Sequence, residues 1–199
     1  MTQPEHTEIR DAVARLCADF PGEYWRRLDR EMAYPTEFVT ALTQSGFLSA
    51  LIPETYGGAG LPLSAAAVIM EEIQRQGCNG AHAQMYVMGT LLRHGSDAQK
   101  QQYLPRIASG ELRLQAFGVT EPTSGTDTTA LRTTARRQGD HYLVNGQKIW
   151  TSRAAQSDLM LLLARTTPRE QVAKRTDGLS VFILDMREAL KAGLTIRPI

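Results

Sequence analysis

The sequence changes character at Phe117-Gly-Val-Thr-Glu-Pro-Thr-Ser-Gly-Thr-Asp127, a short predicted strand running into a loop rich in proline, glycine, serine and threonine. This loop offers backbone N–H groups and the hydroxyls of Thr123, Ser124 and Thr126, which suit the carbonyls, ring nitrogens or phosphate oxygens of a ligand. The same residues also fit an ordinary turn in which Asp127 caps a neighbouring backbone segment, and composition alone favours that interpretation.

The residues before this stretch predict helices. Ile9, Val13, Leu16 and Phe20 recur every three or four positions, as on the apolar face of an amphipathic helix. Further helices are predicted over Glu23–Met32, Thr36–Ser45, Ser64–Gln76 with Ser64 as the N-cap, Ala81–Arg93, and from Ser96 toward Gly110. These patterns indicate an all-α domain that ends near Leu112.

The residues after Leu112 predict strands. Thr133–Gln138 and His141–Val144 flank Gly139-Asp140 and read as a hairpin, and Asn145-Gly146 is a second strong turn signal because type I′ turns need positive φ. Three more strands are predicted over Asp158–Ala164, Leu179–Asp185 and Leu194–Ile199, with a polar loop over Arg165–Gly178.

Composition excludes several functions. The net charge is +1, from 22 basic and 21 acidic residues, which gives no electrostatic argument for binding nucleic acid. No apolar run approaches the roughly 20 residues that cross a bilayer. Cys17 and Cys78 follow no redox or metal spacing, and the scattered histidines form no metal set, so we expect a cytoplasmic protein without a metal.

The loop and a second motif together resemble a known family. The order of Phe117 to Asp127, followed by Asn145-Gly-Gln-Lys148 and Trp150-Thr-Ser152, resembles the acyl-CoA dehydrogenases. The resemblance extends over essentially the whole chain. It implies an α+β fold, with an N-terminal helical domain over residues 1–112 and an incomplete, antiparallel β-barrel-like middle domain over 113–199. The family's C-terminal four-helix domain would lie outside these residues.

The resemblance also implies a place for FAD. Phe117, Gly118, Val119 and Thr120 would line the flavin, Trp150 would pack against its ring system, and Ser152 would place a hydroxyl near flavin N5. The other cofactor-binding residues implied by the motif are Gly125, Thr126 and Thr151.

Substrate contacts and the catalytic base follow from the same resemblance. Thr126 stands where the family usually has a serine that contacts acyl-CoA, and His82 and Tyr86 lie on a helix that borders the acyl pocket. The base glutamate belongs to the family's C-terminal domain, so no catalytic residue is assigned here. Glu121 precedes a proline within a turn, and we interpret it as a structural anchor rather than as a general base.

The function implied is FAD-dependent α,β-dehydrogenation of an acyl-CoA thioester, with hydride transfer to flavin N5. The expected partners are an electron-transferring flavoprotein as the acceptor and other copies of the chain. These 199 residues alone are expected to bind FAD weakly and to show no turnover. The alternatives are an acyl-CoA oxidase or flavin monooxygenase on the same scaffold, and a non-catalytic interaction protein.

Overall fold

The computed structural model describes residues 6–79 and 83–199 and divides the chain into two compact units. The first unit ends at Arg113 and the second begins at Leu114. Within the described residues, no helix combines the length and the apolar character that crossing a membrane requires.

The first unit is helical. Its α-helices are α1 (Thr7–Ala18), α2 (Gly22–Glu31), α3 (Thr36–Gln44), α4 (Leu63–Arg75), α5 (Ala83–His94) and α6 (Asp97–Ala108). The side chains of Val13, Phe38 and Ile69 are buried together and form part of the core that joins α1, α3 and α4. The predicted apolar face of the first helix therefore packs inward.

The start of α6 contains a capping box, and the start of α4 corrects the predicted cap at Ser64. Ser96 Oγ accepts a hydrogen bond from the Gln99 N–H (3.2 Å), and Gln99 Oε1 accepts one from the Ser96 N–H (2.9 Å), which together form a capping box. Ser64, in contrast, is not an N-cap. Pro62 occupies that position with extended backbone, and the Ser64 hydroxyl instead bonds His6 Nε2 at 2.9 Å.

A fully buried carboxylate joins α1 to α4. Glu72 Oε2 accepts hydrogen bonds from Arg75 Nε (2.8 Å) and Arg10 Nη1 (3.1 Å), while its Oε1 accepts one from Gln76 Nε2 (2.6 Å). The hydrogen bonds from Arg75 outweigh the effect of burial and lower the pKa of Glu72 to about 2. The carboxylate is therefore charged, and its three partners compensate its burial.

The second unit contains a five-stranded sheet and one short helix. The strands are β1 (Leu114–Gly118), β2 (Thr134–Gln138), β3 (His141–Asn145), β4 (Leu159–Arg165) and β5 (Leu179–Asp185), and helix α7 covers Met186–Lys191. The strand order is β1-β4-β2-β3, with β5 also paired to β4.

The sheet is mixed, so the predicted antiparallel arrangement holds only in part. Strands β2 and β3 are antiparallel, as are β4 and β5, but β1 lies parallel to β4. Short turns force neighbouring strands to run antiparallel, whereas a long connection permits either direction. The whole β2–β3 hairpin lies between β1 and β4 in the sequence, so the chain has room to return and run parallel.

Two local predictions in this unit are wrong. Leu194–Ile199 forms no strand, and Leu194 and Ile196 instead pack against Ala116, Met160 and Met186. The hairpin turns at Gly139, whose φ is 64°, but neither Asn145 nor Gly146 has a positive φ. Glycine is needed at 146 for space, since a Cβ there would lie 2.3 Å from Thr133 Oγ1.

Candidate functional site

The two segments that were predicted to contact a flavin are joined by hydrogen bonds. The Ile149 N–H donates to the Thr120 carbonyl oxygen (2.9 Å), and Lys148 Nζ donates to the Val119 carbonyl oxygen (3.0 Å). The chain after β1 and the chain after β3 therefore lie side by side. Ile149, the residue immediately before Trp150, thus lies against the backbone of Thr120.

Glu121 holds this arrangement from inside the unit. Its side chain is 4% exposed; Oε2 accepts a hydrogen bond from the Arg132 N–H (2.6 Å), and Oε1 accepts one from the Thr133 N–H (2.9 Å). Lys148 Nζ also donates to Oε1, at 2.8 Å. The carboxylate thus connects three separate pieces of chain: the loop after β1, the start of β2 and the loop after β3.

The environment of Glu121 disfavours a role as a general base near neutral pH. Burial acts to raise the pKa of this carboxyl, but the Lys148 ammonium and the surrounding hydrogen-bond donors lower it to about 2. A base with so low a pKa has little affinity for a substrate proton. The geometry bears out the interpretation of Glu121 as a structural anchor.

Trp150 is held in an unusual conformation. Its φ is 57°, in the left-handed region that residues other than glycine rarely adopt, and its side chain is 68% exposed. Strained backbone persists where the surrounding structure imposes it, and it is concentrated at functional sites. Here the Ile149–Thr120 hydrogen bond restrains the residue immediately before Trp150.

The residues at the end of β1 serve different purposes. Phe117 is the exposed residue of the strand, at 44%. Gly118 is buried, and a Cβ there would lie 3.2 Å from Met160 Sδ and 3.4 Å from Lys148 Cγ, so a larger residue would require these side chains to shift. The carbonyl oxygens of Val119 and Thr120 accept the hydrogen bonds from Lys148 and Ile149.

The loop from Glu121 to Asp127 folds on itself. Glu121 and Ser124 exchange two backbone hydrogen bonds (2.9 and 3.1 Å), and the buried Ser124 hydroxyl donates to the Asp127 carbonyl oxygen at 2.6 Å. Asp127 Oδ1 accepts a hydrogen bond from the Thr129 N–H, as expected for an ordinary capped turn. The Ser124 hydroxyl is thus used within the loop, whereas Gly125 and Thr126 are exposed.

The predicted substrate residues of the first unit are described only in part. Tyr86 lies on α5 with 60% of its side chain exposed. Met85 and Met88, on the same helix, are buried and pack into the core. His82 lies outside the described residues.

Lys148 is the functional residue that sequence reasoning missed. It formed part of the quoted motif, but no role followed from its position in a loop. The sequence contained one signal for this role. Lys148 lies two residues before Trp150, and the other motif contains a carboxylate of opposite charge, Glu121. The two side chains are 27 positions apart in the sequence, and their contact depends on the fold of the second unit.

The second unit therefore presents exposed aromatic side chains beside hydroxyl groups on a restrained backbone. Trp150 and Phe117 offer apolar ring surface, and Thr120, Thr151 and Ser152 offer hydroxyls. A planar ligand with polar edges suits such a surface. Among residues 6–79 and 83–199, no group of three histidine, cysteine, aspartate or glutamate side chains could hold a metal ion.

Comparisons with known proteins identify both units of the chain. Residues 3–111 match the model of the acyl-CoA dehydrogenase N-terminal domain, and residues 116–199 match that of the acyl-CoA dehydrogenase middle domain. Among solved structures, an acyl-CoA dehydrogenase from Geobacillus kaustophilus superposes with a TM-score of 0.83 at 27% sequence identity. That match covers 92% of this chain and 48% of the solved chain.

Two curated relatives give higher sequence identity. A glutaryl-CoA dehydrogenase from Desulfococcus multivorans is 38% identical over 188 residues, covering 90% of this chain and 46% of the relative. A 3-(aryl)acrylate reductase from Clostridium sporogenes is 36% identical over 190 residues, covering 92% of this chain and 49% of the relative. The chain thus spans about half the length of these relatives. With both domain models matched over nearly all of its residues, the chain belongs to the acyl-CoA dehydrogenase family.

Proposed function

We propose that this chain provides the N-terminal domain (residues 1–112) and middle domain (residues 113–199) of an FAD-dependent enzyme that dehydrogenates an acyl-CoA thioester between its α and β carbons. Family membership supports the reaction class, because acyl-CoA dehydrogenases depend on FAD. The observation that carries the proposal is the exposed Trp150, held in a left-handed conformation beside the backbone of Thr120.

The residues present fit a flavin. Phe117, Gly118, Val119, Thr120, Gly125, Thr126, Trp150, Thr151 and Ser152 are the proposed cofactor-binding residues. Exposed indole and phenyl rings suit the apolar faces of a planar ring system, and nearby hydroxyls suit its polar edge. When bound, FAD supplies the redox chemistry by accepting the hydride removed from the β carbon.

The chain's own residues position the reactants. Lys148 and Glu121 hold the segment before Trp150 against the end of β1, so that the aromatic and hydroxyl groups are in place before ligands arrive. Thr126, His82 and Tyr86 are the proposed contacts to the acyl-CoA. As the family resemblance implies, we propose that α-proton removal depends on a glutamate outside these 199 residues.

Two other kinds of function are alternatives to a dehydrogenase. An acyl-CoA oxidase or a flavin monooxygenase would use the same flavin-facing residues, and the rate at which oxygen consumes the reduced flavin would separate them from a dehydrogenase. A non-catalytic interaction protein would have no need of the full set of flavin-facing residues between Phe117 and Ser152. Their presence together in the chain therefore favours the enzyme.

We propose an electron-transferring flavoprotein as the electron acceptor and a homo-oligomer as the working assembly, both as the family resemblance implies. We also propose a cytoplasmic setting, because Cys17 and Cys78 follow no redox or metal spacing. Both thiols are free and buried.

Flavin binding can be tested with the chain's two tryptophans. In a Trp25→Phe variant, Trp150 is the sole emitter, and added FAD should quench its fluorescence saturably but weakly. In the matched Trp150→Phe variant, saturable quenching of the Trp25 emission should be weaker, because the ring that packs against the flavin is replaced. Equal quenching of both variants, or none of either, would contradict the proposed flavin site.

Catalysis by the isolated chain forms the second part of the test. With FAD and an acyl-CoA present, reduction of an artificial electron acceptor should stay at background, because no base is assigned within the chain. Turnover above background would show that a base is present here after all.

A further inference from the structure

The fold brings the two cysteines of the chain together. Cys17 lies in the last turn of α1, and Cys78 follows the end of α4, so the two are far apart in the sequence. Their side chains are 3% and 2% exposed and belong to the same hydrophobic core of the first unit. Both thiols are free, and the sequence contains no other cysteine. This pair, called the core dithiol below, is therefore the one place where the chain can form an internal disulfide.

A helix-ending motif fixes the position of Cys78. The Gly77 N–H donates to the Gln74 carbonyl oxygen (3.0 Å), and the Cys78 N–H donates to the Ile73 carbonyl oxygen (3.1 Å). With Gly77 at a φ of 74°, these two bonds form the Schellman motif that ends α4. The motif turns the chain back over the last turn of the helix, so Cys78 enters the same core as Ile73.

The two thiols contact each other inside this core. Burial is the main cause that raises the pKa of Cys17 to about 12, and the charge of Cys78 and a hydrogen bond with it contribute to the rise. Burial raises the pKa of Cys78 as well, but hydrogen bonds with Cys17 and Trp25 oppose this rise. Because the thiolate is the reactive form of cysteine, both thiols react more slowly than an exposed one, and Cys78 is the more reactive of the two.

We propose that the core dithiol is an oxidation site, at which a peroxide converts Cys17 and Cys78 into a disulfide that links α1 to the end of α4. The Cys78 sulfur attacks one peroxide oxygen, the O–O bond breaks, and the other oxygen leaves with the thiol proton as water. The Cys17 thiol then attacks the resulting sulfenic acid, which forms the S–S bond and releases a second water. Two electrons thus pass from the two sulfur atoms to the peroxide.

Burial determines which oxidants reach the pair and which product forms. Hydrogen peroxide is little larger than water, so a limited local opening of the first unit admits it. Because the second thiol is already in contact, the sulfenic acid is converted to a disulfide before it is oxidised further. The cross-link restricts the unfolded chain and therefore stabilises the first unit. This reaction involves neither flavin nor acyl-CoA and is independent of the proposed function.

The test is peptide mapping of the whole chain after treatment with hydrogen peroxide, with the remaining thiols blocked by N-ethylmaleimide. Tryptic digestion without reductant should yield a linked peptide that contains Cys17 and Cys78, and dithiothreitol should abolish it. Met32, whose side chain is 95% exposed, provides an internal control, because its sulfoxide shows that the oxidant has acted. Reduced or separately oxidised cysteines in a sample with oxidised Met32 would overturn the proposal, as would a disulfide that joins two chains on a non-reducing gel.

Urea denaturation measures the effect of the cross-link. In the Trp150→Phe variant, Trp25 emission follows the first unit, and the peroxide-treated chain should have a higher urea midpoint before dithiothreitol than after it. Adding Cys17→Ala or Cys78→Ala removes the cross-link and leaves every methionine in place, so dithiothreitol should not change the midpoint of these variants. Equal midpoints with and without dithiothreitol in the chain that has both cysteines would contradict the link between α1 and α4.

Discussion

Glu121 and Lys148 illustrate how one buried ion pair can set the geometry of a binding surface. Their contact joins the two loops that carry the flavin-facing residues, and the Glu121 carboxylate also accepts two backbone N–H groups of the segment that enters β2. Because both side chains are almost fully buried, loss of either charge would leave the other without its partner.

Removal of the lysine charge should therefore destabilise the chain. Lys148→Met is expected to lower the free energy of unfolding by roughly 3 kcal/mol, because Glu121 then remains charged and buried without its cation. Urea denaturation measures this loss. The control is Lys174→Met in the exposed β4–β5 loop, and equal denaturation midpoints for the two variants would contradict the assigned role of Lys148.

Acid should weaken the fold through two carboxylates. Glu121 and Glu72 each have a pKa lowered from 4.5 to about 2, so each binds protons more tightly in the unfolded chain. Their stabilising contribution is complete above about pH 5 and is lost as the pH falls from 4.5 toward 2. The free energy of unfolding, measured by urea denaturation at several pH values, should fall over this range, and it should fall less in Glu121→Gln. An equal fall in Glu121→Gln would contradict the lowered pKa.

Among the helices, a serine near the start of a helix acts as an N-cap only where its side chain bonds a backbone N–H of the first turn. Both Ser64 and Ser96 lie at the start of a helix, yet only Ser96 forms a capping box. Pro62 already provides extended backbone at the start of α4, and Ser64 lies inside the first turn of the helix. Pro62 therefore occupies the N-cap position of α4, whereas Ser96 itself is the N-cap of α6.

The two serines provide a matched comparison. Ser96→Ala should lower the free energy of unfolding by about 1 kcal/mol, since it removes the side-chain acceptor for the Gln99 N–H. Ser64→Ala removes only an exposed bond to His6 and should change it by less than about 0.5 kcal/mol. Thermal or urea denaturation would measure both, and the reverse order would contradict the assignment of the caps.

The whole molecule consists of two units, each with a core of its own. Val13 and Ile69 belong to the core of the first unit, and Ala116 and Met160 belong to that of the second. Each unit also contains one of the two tryptophans, Trp25 in the first and Trp150 in the second. The tryptophans can therefore report on the two units separately.

Unfolding should accordingly depend on the probe. The Trp150→Phe variant, followed through Trp25, and the Trp25→Phe variant, followed through Trp150, are expected to give different urea midpoints, because separate cores need not unfold together. Far-ultraviolet circular dichroism of each variant provides the reference for the whole chain. Coincident midpoints by both probes would indicate a single cooperative unit.

The sequence by itself determined most of the structural features that depend on residues close together along the chain. The helices, the hairpin at Gly139 and the apolar strands β4 and β5 follow from local periodicity, turn residues and capping, and the family follows from the motifs at Phe117–Asp127 and Trp150–Ser152. These features were predictable because each is specified by residues a few positions apart.

Only the tertiary structure decided the rest. The parallel pairing of β1 with β4, the contact of Glu121 with Lys148 and the need for glycine at 146 each join residues far apart in the sequence. Whether Asn145-Gly146 forms a turn depends on the approach of Thr133, which no local pattern reveals. Packing, burial and electrostatics act through space, so the geometry of the site appears only once the chain has folded.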